Sequence, residues 1–233
     1  MPIHMLFDLL AWSGGGLLGL FVRRRWLADA PTPGLLARPW WYACAMIGAI
    51  GGALMLGSLN VRLAGMAGGG VSVVGALAGA IVGVELYKTL TGVKGSTGVG
   101  MVASLAFGVV VGRIGCLLAG IEDYTYGIPT SLPWGMDFGD GLARHPVQAY
   151  ESLSMAVFLI WFLRRLAAGD QALRRQGFAL FVAAYAGQRF LWEFLKPYPT
   201  VLGPLNLFHL TCLGLLAYAA AMLYRRRAIH ADA

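Results

Sequence analysis

Apolar runs long enough to cross a bilayer recur along this 233-residue chain. A hydrocarbon core about 30 Å thick needs roughly 20 apolar residues per helix, and it admits only helices or closed barrels because backbone groups find no water there. Barrel strands would be about ten residues long with strict alternation, a pattern these runs lack. The sequence therefore predicts an all-α integral membrane protein with about seven transmembrane helices, near residues 5–22, 40–58, 66–88, 98–119, 147–166, 176–195 and 205–224. All seven belong to one polytopic domain over 1–233, with an extracytoplasmic loop at about 120–146. Charged residues make up 12% of the chain, about half the share in a soluble domain.

The net charge of +7 invites a nucleic-acid partner, but the basic residues flank the apolar runs, which excludes that reading and sets the orientation instead. Thirteen of the 18 Lys and Arg residues, among them Arg23 to Arg25, Arg164, Arg165, Arg174, Arg175 and Arg225 to Arg227, fall on one side. Arg62, Arg144 and Lys196 fall on the other, while Arg113 and Arg189 lie within spans. The richer side is cytoplasmic, so the N-terminus is expected outside and the C-terminus inside. A cleavable leader is not expected, because Arg23 to Arg25 follow the first apolar run instead of preceding it. Cys44, Cys116 and Cys212 read as buried thiols, without disulfide or metal-ligand spacing, and no cofactor is expected.

An arginine among Val109, Val110, Val111, Ile114 and Leu117 is costly in hydrocarbon and needs a polar interior. By the expected topology, Asp8, Arg113, Glu151, Arg189 and Glu193 all fall toward the outer leaflet, with Arg144 and His145 just above them. Tyr185, Arg189 and Glu193 are spaced four apart and share one helix face. Two arginines in such a group suit a phosphate, which guanidinium binds in bidentate fashion, so an anionic lipid headgroup is the expected ligand. The glycine series Gly48, Gly52 and Gly75, Gly79, Gly83 predicts close backbone packing. Gly68, Gly69 and Gly70, followed by Ser72, are less helical and are expected to turn backbone N–H groups toward an anion.

In order along the chain, GRIGCLLAG, PTSLPWGMDF, RHPVQAYE and YAGQRFLWEFLK resemble the prolipoprotein diacylglyceryl transferase family. The resemblance implies a multi-pass protein of the bacterial inner membrane with its site facing the outer leaflet. It implies that the diacylglyceryl group of phosphatidylglycerol passes to the thiol of a lipobox cysteine in a prolipoprotein, as glycerol 1-phosphate leaves. Arg113 matches the arginine of the family's GRxGN signature. Tyr185, Arg189 and Glu193 match its Y-x3-R-x3-E face, and Lys196 stands where arginine is usual. His145, Pro146, Gln148, Tyr150 and Glu151 match its RHPxQxYE segment.

On this basis Arg113 and Arg189 are expected to stabilise the departing phosphate, and Tyr185 to hydrogen-bond a lipid oxygen. His145 is the candidate proton acceptor for the thiol, while Glu193 either holds Arg189 or acts as a base. Arg144, Gln148, Glu151, Gly69, Gly70 and Ser72 are expected around the lipid. The sequence also departs from the family: Cys116 and Ala119 replace two asparagines, and Gly68 replaces the histidine of an HGG motif. Those losses keep two rivals open, a membrane protein that binds an anionic phospholipid without transforming it, and a related transferase with a different acceptor.

Overall fold

The computed structural model describes residues 2–30 and 38–231; Pro31 and Pro33, which with Pro39 are expected to keep the loop after the first span from being one helix, lie outside the described residues. Seven long helices run through the described chain: α1 (Pro2–Trp26), α2 (Pro39–Leu63), α3 (Val73–Thr91), α4 (Val102–Ala119), α5 (Val147–Ala167), α6 (Gln171–Glu193) and α7 (Leu207–Ala231). Five of them, α1, α2, α3, α4 and α7, are long and apolar enough to cross a membrane. Helices α5 and α6 fall short of that composition because Gln148, Glu151, Arg189 and Glu193 lie on them. Met5, Trp12, Leu17, Ile47, Met55 and Leu90 are largely exposed, as lipid-facing side chains are, since nothing in hydrocarbon penalises them.

The helix ends follow local chemistry. Ser72 accepts a hydrogen bond from Gly75 N at 3.2 Å and starts α3, and Asp170 accepts one from Leu173 N at 3.0 Å and starts α6. Gly92 ends α3 with φ +69°, a conformation cheap only for glycine.

Helices α2 and α3 form a tight antiparallel pair whose backbones touch, as the glycine spacing predicted. A Cβ on Gly79 would stand 2.0 Å from the Gly48 carbonyl oxygen, and one on Gly52 would stand 2.2 Å from the Gly75 oxygen. Glu85 and Lys88 are tied into this packing: Lys88 is buried against Glu85 at 2.8 Å, and Tyr218 on α7 donates to Glu85 at 2.8 Å.

The second unit is α1 on α4, with α4 against α5, α5 against α6 and α6 against α7. Its core includes Val102, Ala106, Met155, Phe162, Phe181 and Val182. The segment between α4 and α5 is an ordered hairpin, β1 (Met136–Asp137) antiparallel to β2 (Ala143–Arg144). Asp137 Oδ1 accepts from the N–H groups of Gly139, Asp140 and Gly141 at 2.8, 3.1 and 3.0 Å, which closes the turn.

Candidate active site

The polar residues of this apolar chain meet where α4 and α6 end and α5 and α7 begin. Glu151, in the first turns of α5 and 1% exposed, is the hub. Its Oε2 pairs with Nε of Arg113 from α4, and its Oε1 pairs with Nη1 of Arg189 from α6. Lys196, in the turn after α6, brings Nζ to Oε1 at 2.8 Å. Glu193, one helical turn beyond Arg189, holds the Nη2 of Arg189 at 2.9 Å. Asn206 at the head of α7 donates to Glu193 Oε1 at 3.1 Å and accepts from the N–H groups of Phe208 and His209, each at 3.0 Å. Glu151 thus joins α4, α5 and α6 through one carboxylate, and Glu193 ties in the head of α7 through Asn206.

Three cations stand against two carboxylates, which leaves one positive charge in a site where every member is buried. Removed from water, such a charge attracts an anion far more strongly than it would at a surface. Two neighbouring groups have capacity to spare: the hydroxyl of Tyr185 and Nε of Arg189 are buried without a hydrogen-bond partner. Gln148, fully buried, uses its amide N–H on Thr125 at 3.2 Å but leaves Oε1 unpartnered. Burial, together with Arg189, lowers the Lys196 ammonium to about 8, so the surplus charge is itself titratable.

The structure brings together Arg113, Tyr185, Arg189, Glu193, Gln148 and Glu151 of the expected set. Both arginines face Glu151, so the intramembrane charges that the sequence grouped at the outer leaflet are paired with one another. His145 and Arg144 sit apart, in the hairpin wall. His145 is pinned by backbone hydrogen bonds to Gly127 and Ile128 at 3.1 Å, with Nδ1 3.4 Å from the Tyr150 hydroxyl. Arg144 is committed to Asp140 at 2.5 Å and to the Gly127 carbonyl at 3.3 Å. Gly69, Gly70 and Ser72 lie at the α2–α3 junction. There Gly70 N points to Ser58 Oγ at 3.4 Å and Ser72 N to the Ala53 carbonyl at 3.1 Å.

Two contacts of this region carried no legible signal. Lys196 drew notice only as the position where the family usually has arginine, and its contact with Glu151 spans 45 positions of sequence. His4 lies just before the expected start of the first span, yet it stands 3.6 Å from Cys116 and 3.2 Å from Asp123.

The family model for prolipoprotein diacylglyceryl transferase matches residues 15–225. A relative from Methylocella silvestris, called phosphatidylglycerol–prolipoprotein diacylglyceryl transferase, is 31% identical over 265 residues, covering 99% of this chain and 93% of its own. A protein of the same name from Methylobacillus flagellatus is 31% identical, covering 89% of this chain and 90% of its own. One from Bordetella parapertussis is 34% identical over 143 residues, 58% of this chain and 52% of its own. No solved structure matches the chain.

Proposed function

The chain belongs to the prolipoprotein diacylglyceryl transferase family, and from that premise we propose that it transfers the diacylglyceryl group of phosphatidylglycerol to a cysteine thiol of a prolipoprotein. The setting is a bacterial inner membrane crossed seven times, N-terminus out and C-terminus in, with the ionic cluster opening toward the outer leaflet. The basic residues support that orientation, since Arg164, Arg165, Arg174 and Arg175 flank the α5–α6 turn at the end opposite the cluster.

One observation carries the reading: a buried cluster with one surplus positive charge and unpartnered donors on Tyr185 and Arg189. A phosphodiester headgroup carries one negative charge and matches that surplus. As the glycerol C–O bond to phosphate breaks, its electron pair goes to the departing oxygen and the phosphate gains a second negative charge. Arg113, Arg189 and Lys196 are fixed in place by Glu151 before that charge develops, so they stabilise it without reorganising. Tyr185 donates to a phosphate or ester oxygen. Glu151 and Glu193 hold the cations in register, and Gln148 presents its free Oε1 to the glyceryl hydroxyls. His145, Arg144 and the Gly69–Gly70–Ser72 turn belong to the walls along which lipid and peptide enter.

Complementation of a strain depleted of its own transferase tests this. The parent chain should restore lipoprotein maturation. Arg113→Ala and Arg189→Ala should insert normally and fail, because loss of one fixed donor to a developing anion costs about 10²–10³ in rate. Rescue by both variants would refute the assignment of the cluster.

A further inference from the structure

The first turn of α1, the last turn of α4 and the short 3-10 turn after it (Gly120–Asp123) converge beside Arg113. Gly115 allows the approach, because a Cβ there would meet Phe7 Cβ at 2.6 Å. It lets α1 lie directly on α4 and sets His4 over Cys116. His4 Nε2 then stands 3.6 Å from Cys116 Sγ and 3.2 Å from Asp123 Oδ1, with all three ligand atoms inside 4.8 Å of one another. On the other face of the ring, His4 Nδ1 meets Asp8 Oδ2 at 2.8 Å.

A neutral imidazole has one N–H and one lone pair, yet both nitrogens here face a carboxylate. With the N–H given to Asp8, the lone pair of Nε2 points at the Asp123 carboxylate and the Cys116 sulfur. The Cys116 thiol can give its hydrogen to Asp123, and with that hydrogen removed the three atoms present electron pairs to one point where a cation fits. Zinc bonds of about 2.3 Å to sulfur and about 2.0–2.1 Å to nitrogen or oxygen place tetrahedral ligands roughly 3.3–3.6 Å apart, close to the 3.2 and 3.6 Å measured from His4 Nε2 to Asp123 and Cys116. The surrounding contacts fit too. Asp8 orients the imidazole from behind, as carboxylates do for metal-bound histidines. Asp123 Oδ2 is held by the Thr125 hydroxyl at 2.5 Å, and Thr125 in turn by Gln148 at 3.2 Å.

The geometry points to a zinc site of His4, Cys116 and Asp123 whose open fourth position takes the acceptor thiol of the transfer reaction. This rests on the transferase reading above. Three protein ligands and one open position are the arrangement of a working zinc site. A thiol bound to such a metal loses its proton outright, which supplies the thiolate that the missing family histidine leaves unprovided. The sulfur lone pair then forms the C–S bond to the glyceryl carbon. The C–O bond to phosphate breaks with its electron pair on oxygen, and the proton released at the metal ends on the glycerol phosphate. Nothing is oxidised or reduced. Arg113, with Nη1 3.9 Å from Cys116 Sγ and Nε on Glu151, stands between the metal triad and the phosphate cluster, so nucleophile and leaving group are addressed side by side.

The test uses the full chain in lipid nanodiscs, purified without a polyhistidine tag, with zinc or cobalt(II) as the probe. About one metal per chain is expected, falling by at least about tenfold in His4→Ala and Cys116→Ala. Asp8→Asn, which removes no ligand, should weaken binding about 10–100-fold, which guards against a simple loss of folding. The cobalt form should show a thiolate charge-transfer band that strengthens when a lipobox peptide is added, and not when its cysteine is serine. A parent chain that retains no metal overturns the proposal, with His4 then an imidazolium between two carboxylates. A cobalt spectrum unmoved by the peptide thiol overturns it as well. Transfer that proceeds unchanged in chelator sinks the zinc site while leaving the transferase reading standing. Metal and thiol signals without any thioether product would do the reverse.

Discussion

Replacing Glu151 with alanine removes the one carboxylate that touches Arg113, Arg189 and Lys196 together. The buried cluster passes from one surplus positive charge to two, and only Glu193 remains to face them. At an effective dielectric constant of about 20, a pair 4 Å apart is worth roughly 4 kcal/mol before desolvation. Breaking one buried pair by removing a partner costs about 3–5 kcal/mol, because the survivor keeps its burial and loses its counterion. Three survivors put Glu151→Ala at or above the top of that range. For a chain of this size, each kcal/mol moves the melting temperature about 2–4 °C, so a drop of roughly 10–20 °C is expected in thermal unfolding of the detergent-purified protein. Glu193→Gln is the internal comparison. Arg189 keeps its contact with Glu151 and Asn206 keeps an acceptor, so the drop should be less than half as large. Added phosphate should restore part of the loss in Glu151→Ala by occupying the vacated position. A melting point within about 2 °C of the parent, or an equal loss in Glu193→Gln, would refute the picture of Glu151 as hub.

Gly79→Val should cost about 1–3 kcal/mol or more, because its Cβ would overlap the Gly48 carbonyl at 2.0 Å, whereas Gly51→Ala, with open space around it, should be neutral or slightly stabilising; thermal scans of both separate the two cases. An impermeant maleimide applied to intact cells should label Ser131→Cys in the hairpin and spare Ala168→Cys in the α5–α6 turn, and the opposite pattern would invert the orientation. Phosphatidylglycerol affinity should fall as pH rises through about 8, since the Lys196 ammonium is charged below that pH and its loss removes the surplus charge. Lys196→Arg should abolish the step, and a step that persists in that variant would assign it elsewhere.

Much of the fold was legible because bilayer thickness dictates helix length, and the glycine spacing of α2 and α3 announced their contact directly. The face of Tyr185, Arg189 and Glu193 was legible because a helix makes four-residue spacing a spatial fact. What escaped were contacts that only assembly of the bundle creates. Glu151 meets Lys196 and His4 meets Cys116 across separate helices, and no local spacing encodes either meeting. His145 drew attention through its motif and its backbone serves the hairpin, while His209 at the head of α7 is buried against Asn206 and His4 in the first turn of α1 stands beside Cys116. The meeting of His4, Cys116 and Asp123 was hidden for the same reason, since these positions come from three different elements.

The most direct trial of the central claim incubates the purified chain in phosphatidylglycerol vesicles, labelled in the diacylglyceryl moiety, with a lipobox peptide. Labelled thioether on the peptide cysteine and one glycerol phosphate released per transfer are expected. Both signals should be lost in Arg113→Ala and in Arg189→Ala. Tight binding of phosphatidylglycerol with neither thioether nor glycerol phosphate formed would contradict that claim, and would make this chain a holder of the lipid.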